Sequence, residues 1–347
     1  MSEPTDVTIP TWMRAIVQDE YGDAEMLRTE QVPVPSPGPG EVLVRVHAAG
    51  IDMGVWHLMT GRPLLLRLFG FGLQRPKLRG RGRDLAGTIV ALGAGVEGLQ
   101  AGDVVFGTAD AAFADHAVTR ADRLLAAPRG VPLSQLAALP TSGSAALHGL
   151  RDAGRLQRGQ RVLVIGAGGG VGSFAIQLAV AAGAHVTAVC SAAKAGLARS
   201  LGAEAVIDYR SETLSQAIAR GVERFDLVLE IAGERTIREL RAATVPGGAI
   251  VLAGGEGGGS MLGGVAHQLR GVLTAPFVRQ RIVMLVSAER PTDLAELAAH
   301  LVAGTVVSTV DAELPLERVP DALRRLARGG IAGKLVIRVS DDPVDAE

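Results

Sequence analysis

Two hydrophobic rhythms divide this chain. Up to about residue 135, apolar residues gather in short runs separated by glycine and proline. Residues 14–18, 41–48, 84–93 and 100–107 read as strands, with turns through Gly95 and Gly98. Short strands at short intervals predict a β-rich, partly closed domain. Residues 32–40 carry proline at alternate positions. Proline fixes φ and removes a donor, so this stretch is predicted as an extended connector.

From about Leu133, strand and helix patterns alternate. Candidate strands are 161–166, 185–190, 226–231 and 248–253, and candidate helices are 171–182, 193–201, 213–220 and 234–243. Residues 205–207 and 306–307 are further strand candidates for the same sheet. This alternation predicts an α/β fold with a doubly wound parallel sheet of the Rossmann kind. Residues 322–328 predict an amphipathic helix and 333–339 a final strand. The acidic tail beyond is expected to be disordered.

The richest local signal is the run Arg161-Val-Leu-Val-Ile-Gly-Ala-Gly-Gly-Gly-Val-Gly172. An apolar strand breaks into glycines, and a helical pattern opens at Ser173. A helix N-terminus carries unpaired N–H groups and partial positive charge, which suits a pyrophosphate. Glycines let the backbone approach the phosphates and let the helix pack close to the strand. The spacing is Gly166-x-x-Gly169-x-x-Gly172, one residue longer than G-x-G-x-x-G. Gly166, Gly168, Gly169, Gly170, Val171 and Gly172 are the expected cofactor contacts here. Ala232 and Gly254, just past two later strands, join them.

Composition narrows the function. The 347 residues are 48% hydrophobic and 20% charged, enough for a large core. A formal net charge of −1 and 3% aromatics give no case for nucleic acid. One cysteine, Cys190, excludes a disulfide framework and a cysteine-rich zinc lobe. The first residues are polar and acidic, and no long apolar window is free of charge, so a soluble cytoplasmic protein with no membrane span is expected.

Several segments together resemble the medium-chain dehydrogenase/reductase superfamily, in its zinc-free quinone-oxidoreductase-like branch. They are Gly80-Arg-Gly-Arg-Asp-Leu-Ala-Gly87, Val90-Ala-Leu-Gly-Ala-Gly-Val96, Gly102-Asp-Val-Val-Phe-Gly107, the glycine turn, Leu201-Gly-Ala-Glu-Ala-Val-Ile-Asp-Tyr209 and Gly333-Lys-Leu-Val-Ile337. The resemblance implies a GroES-like catalytic domain (1–135 and 305–347), completed by the C-terminal segment. A dinucleotide-binding domain (136–304) would lie across a cleft from it. It also implies a homodimer through the cofactor-domain sheet edge. Zinc-dependent relatives place Cys and His where this chain resembles their motif at Asp52 and Arg83. Arginine does not ligate a cation, so no catalytic zinc is expected. Without that Lewis acid, conjugated acceptors are easier to reduce than simple carbonyls.

NADPH is the expected cofactor. The second strand ends at Ser191 without the acidic residue that usually meets a 2′-hydroxyl, and Lys194 follows. A cation there pairs with a 2′-phosphate. Tyr209 and Arg328 join them by resemblance. The plainer alternatives are a solvated lysine at a helix start, an ordinarily packed tyrosine and a solvated helix-end arginine.

On the substrate side, the family pattern Asn-Pro-x-Asp is replaced by Asp52-Met-Gly-Val55. Asp52, if half-buried beside an apolar substrate, would gain a raised pKa and donate a proton. The alternative is a local hydrogen bond in a loop. Trp56 either stacks on substrate or packs the β domain, and His57 is either catalytic or surface. The family Thr near the nicotinamide falls at Ala145. Thr141, Ser142 and Ser144 are the nearby substitutes, though Thr141 also suits a helix cap. Residues 62–83 are apolar and basic without an acid, a candidate lid or an amphipathic surface segment. Phe277 either lines the pocket or packs.

The expected activity is zinc-independent transfer of hydride from NADPH to a small apolar quinone or α,β-unsaturated carbonyl. The alternatives are an NADP-dependent alcohol/ketone couple, a biosynthetic enone reductase, and a nucleotide-binding protein without turnover.

Overall fold

Strand β1 (Trp12–Val17) and β2 (Arg28–Pro33) open the chain as an antiparallel pair. The computed structural model describes residues 9–64, 67, 71–233, 235–254 and 264–340, with backbone alone at 264–267. β3 (Glu41–Ile51) leads into helix α1 (Met53–Thr60). β4 (Asp84–Leu92), β5 (Val104–Thr108), β6 (His116–Arg120) and β7 (Leu124–Ala126) follow. Then come α2 (Leu133–Ala137) and α3 (Pro140–Leu147), prolonged by a π-helical segment over His148–Ala153.

The alternating half runs β8 (Arg161–Ile165), α4 (Gly170–Ala181), β9 (His185–Cys190), α5 (Ala192–Ser200) and β10 (Ala205–Asp208). It continues with α6 (Leu214–Ala219), β11 (Phe225–Glu230), α7 (Ile237–Ala243), β12 (Thr244–Leu252), α8 (Gly264–Thr274), β13 (Arg281–Met284) and α9 (Pro291–Val302). β14 (Val310–Pro315), α10 (Val319–Arg328) and β15 (Lys334–Arg338) close the chain.

The order β10-β9-β8-β11-β12-β13, parallel throughout, is that of a doubly wound sheet. Its central strands are covered on both faces, which is why they read as unbroken apolar runs. Val162, Leu163 and Val164 are fully buried, as are Val228 and Leu229. Each such side chain contributes about 1.5–3 kcal/mol. The second sheet follows β14-β15-β3-β4-β5-β7, with β6 on β3. β15 lies antiparallel to β3, pairing Leu335 with Ile51 and Arg338 with Ala48, so the C-terminal segment returns to the β-rich half.

The chain departs from its pattern in two places. Residues 306–307 are not a strand: Gln177 on α4 donates to the Val307 carbonyl at 3.0 Å and accepts its N–H at 2.8 Å. A side-chain amide there takes the hydrogen bonds that a neighbouring strand would supply. The outer strand of the cofactor sheet is instead β13. The proline connector begins inside β2, where Val32 and Pro33 pair with Met13 and Trp12. The acidic tail from 341 lies outside the described residues.

Candidate active site

β8 ends at Ile165, and Gly166 turns the chain with φ +85°. The N–H groups of Gly166 and Ala167 both donate to the Val189 carbonyl at 3.1 Å, tying the turn to β9. α4 starts at Gly170, and a side chain at Gly172 would place its Cβ 2.3 Å from the Gly166 carbonyl oxygen and 2.6 Å from Ala167 Cα. Only glycine lets the helix press so closely on the turn. Gly166 to Gly172 therefore form one tight cradle at a helix N-terminus, the kind of place that suits an anion.

The neighbouring strand ends gather around it. Ser191 follows β9 and is buried. Lys194 sits in the first turn of α5, its N–H donating to the Ser191 carbonyl at 2.9 Å. Its side chain lies over the cradle: a Cβ on Gly168 would be 2.5 Å from Lys194 Cδ. Ala232 follows β11, and its N lies 3.2 Å from where a Gly166 Cβ would stand. Gly254 follows β12, its N–H donating to the Glu230 carbonyl at 3.2 Å. Tyr209 lies past the edge strand β10, exposed, with the Arg210 guanidinium 5.8 Å from its ring centre. Arg328 is exposed in the last turn of α10, a helix packed on the β-rich half. Among the described residues no hydrogen bond or ion pair joins Arg328 to the cradle.

A different cation reaches the cradle. Gly333 donates its N–H to the Gly168 carbonyl at 3.1 Å, pinning the start of β15 to the turn. Lys334 is buried, donates from Nζ to Ser142 Oγ at 3.1 Å and lies 3.8 Å from Asp84 Oδ2. Asp84, at the start of β4, is fully buried and accepts Thr141 Oγ1–H at 2.5 Å and Thr141 N–H at 3.2 Å. The N-terminus of α3 is thus capped by the Asp84 carboxylate, not by Thr141. Burial pushes the Asp84 carboxyl up to about 7, against the pull of Lys334. The sequence pattern singles out neither Asp84 nor Lys334. The signal there is a lone acid in one quoted motif and a lone cation in another.

On the substrate side, Asp52 caps α1: Oδ1 accepts the Val55 N–H at 3.1 Å. Asp52 Oδ2 is buried and has no hydrogen-bond partner among the described residues. Trp56 meets the His57 ring edge-on at 5.2 Å and packs against the β-rich core. His57 Nδ1 lies 2.8 Å from the Arg62 carbonyl oxygen, and burial lowers its pKa. Ser144 Oγ is buried and has no hydrogen-bond partner among the described residues. Phe277 is 86% exposed and is not packed into the described core. Residues 65–66, 68–70 and 255–263, within the candidate lid and the loop before α8, lie outside the described residues.

The donor set does not suit zinc. Arg83 holds a guanidinium where a ligand would stand, bound to Glu289 at 2.7 Å, and Asp52 is spent partly on its helix. Among the described residues no group of three His, Cys, Asp or Glu could hold a metal.

Fold and cradle define a dinucleotide-binding α/β protein with an appended β-rich domain. A model of the alcohol dehydrogenase GroES-like domain matches residues 38–144, and one described as zinc-binding dehydrogenase matches 201–337. The chain is 30% identical to the mitochondrial NAD(P)H oxidoreductase RTN4IP1 of Bos taurus, over 97% of this chain and 91% of that protein. It is 29% identical to 2-methylene-furan-3-one reductase of Solanum lycopersicum, over 96% and 81%. The quinone oxidoreductase of Coxiella burnetii superposes with a TM-score of 0.84 at 25% identity, covering 95% and 100%. The chain belongs to the medium-chain dehydrogenase/reductase superfamily, in its quinone-oxidoreductase-like branch. The bovine relative is named for the mitochondrion, so it lends the cytoplasmic expectation no support. No described helix is long and apolar enough to cross a membrane.

Proposed function

We propose that this chain is a zinc-independent, NADPH-dependent reductase of quinones or α,β-unsaturated carbonyls. The observation that carries this reading is Lys194 laid across Gly168 of the cradle, with Ser191 in place of an acid at the end of β9. The names of the Solanum and Coxiella relatives support the acceptor class. We assign 136–304 to cofactor binding and 1–135 with 305–347 to the acceptor side. The outer edge of β13, flanked by exposed Met284 and Val286, is the proposed dimer seam.

The chain's own groups bind, orient and hold a proton. The α4 N-terminus and glycine backbone take the pyrophosphate, and Lys194 takes the 2′-phosphate. The bond from Gly333 to Gly168 and the Asp84–Thr141–Ser142–Lys334 set keep the two halves in register. When bound, a reduced nicotinamide supplies the hydride. Asp52 Oδ2, the carboxylate oxygen left over from helix capping, is the atom proposed to hold the proton for the reduced acceptor. Trp56 serves as packing.

Stopped-flow oxidation of NADPH and NADH by metal-free protein, against naphthoquinones and enones, tests this. Rapid oxidation with NADPH preferred is expected. Lys194→Ala should weaken NADPH about tenfold while leaving NADH nearly unchanged, consistent with one charge-assisted contact of about 1.4 kcal/mol. Saturable binding without oxidation would select the non-catalytic alternative, which Asp52 as a helix cap and Ala145 without a hydroxyl favour.

A further inference from the structure

A cavity of about 400 Å³ opens beside the site, between α1 and the segment from Phe71 to Arg83. Leu58 and Phe71 give it apolar wall, and Lys77, Arg81 and Arg83 give it three cations against one carboxylate, Asp110. Its size is that of an ordinary small-molecule site. It adjoins the chemistry: Arg83 immediately precedes Asp84, and α1 is the helix capped by Asp52.

The cations differ in their partners. Arg83 is neutralised by Glu289 at 2.7 Å, and Asp110 faces Arg123 at 3.3 Å. Arg81 is 5% exposed, and among the described residues no carboxylate pairs with it. Its Nε donates to Gln18 Oε1 at 2.8 Å, and its Nη1 to the carbonyls of Leu78 and Gly80 at 2.7 and 2.8 Å. Nη2 is buried and has no hydrogen-bond partner among the described residues. Burial pushes this guanidinium down to about 10, so it stays charged at neutral pH. Lys77, another lining residue, is exposed; its backbone N–H closes a turn onto the Phe71 carbonyl at 2.9 Å. Among the described residues no ion pair engages its ammonium. An uncompensated buried cation is costly and is normally retained with a counter-charge. The lining lacks that counter-charge, and a ligand can bring it.

We propose that this cavity seats the acidic end of the acceptor, a carboxylate on an otherwise apolar quinone or enone. Lys77 meets the carboxylate directly, and the field of Arg81 holds it from behind the wall. The inference rests on the reductase reading for the word acceptor; the anion site stands apart from it. It also accounts for the absence of acids from residues 62–83, since a carboxylate there would cancel the field.

Two measurements separate the ideas. The first is calorimetric binding of biphenyl-4-carboxylate and of its neutral carboxamide to the full-length protein. The carboxylate should bind at least tenfold more tightly at low salt. Lys77→Gln, on an exposed side chain, and Arg81→Gln should each shrink that preference severalfold. Equal binding, or a preference unmoved by Lys77→Gln, overturns the proposal even if Arg81→Gln fails to fold. The second is kcat/KM for a carboxylated naphthoquinone against menadione. A tenfold advantage of the acid, lost in Lys77→Gln, supports the acceptor assignment, and an advantage of menadione refutes it. Carboxylate binding without reduction of either quinone leaves the anion site intact and sinks the reductase reading.

Discussion

Replacing Asp84 by asparagine tests how the junction between the two halves is held. The fully buried carboxyl rises from an ordinary 3.8 to about 7 because burial outweighs the attraction of Lys334 at 3.8 Å. Each tenfold change in proton affinity is worth about 1.4 kcal/mol, so the rise amounts to about 4 kcal/mol. The sign follows from linkage. Below about pH 4 both folded and unfolded chains carry the proton, and the stabilisation is fully present. As pH climbs, the unfolded chain releases its proton while the folded one retains it, so stability drains away until Asp84 ionises near pH 7. The amide introduced by Asp84→Asn keeps an acceptor for Thr141 and has no proton to lose. The stability of wild type minus that of Asp84→Asn should therefore fall by about 3 kcal/mol between pH 4.5 and pH 8. Equilibrium urea denaturation of both proteins across that range reads the difference. A gap that stays flat, or widens with pH, would refute the reasoning and mean that Lys334 keeps Asp84 ionised throughout.

Other positions give sharper yes-or-no results. Gly172→Val, forcing side-chain atoms into the Gly166 carbonyl at 2.3 Å, should abolish NADPH binding in a fluorescence titration, because the helix must back off the cradle. Asp52→Asn retains an oxygen for the Val55 N–H but removes the acid; if Oδ2 holds the transferred proton, kcat on an enone should fall about 100-fold, and an unchanged kcat would reduce Asp52 to a cap. His148→Ala strips the buried Asp293 carboxylate of a partner at 2.8 Å and should cost about 3 kcal/mol in urea denaturation.

What could be read from the chain, and what could not, divides along the range of the forces involved. The parallel strands announced themselves because burial on both faces demands uninterrupted apolar runs, as in Val162–Ile165. The cradle was legible because a tight turn and a close helix leave glycine as the only solution within a few consecutive residues. β13, β6 and β7 escaped because strands of four, five and three residues carry too little alternation to stand out. Residues 306–307 misled for a related reason: their apolar pattern is real, since Val306 is fully buried, but Gln177 supplies the hydrogen bonds of a missing strand.

The junction charges belong to a third kind. Asp84 and Lys334 meet only when β15 returns beside β3, and neither position shows a local period that would mark it. Arg328 looked attractive for being a cation just before the final strand, yet the chain spends five further residues reaching the cradle, and the cation that arrives is Lys334. A motif thus located the stretch that reaches the turn without telling which cation packs there. The same holds for residues 62–83, where the excess of cations was visible but their partners were not. Arg79 is satisfied by Asp19 and Glu30, Arg83 by Glu289, and only with those pairs removed does the unpaired Arg81 beside a cavity stand out. In this segment the informative charge is thus the one left without a carboxylate once those pairs are accounted for.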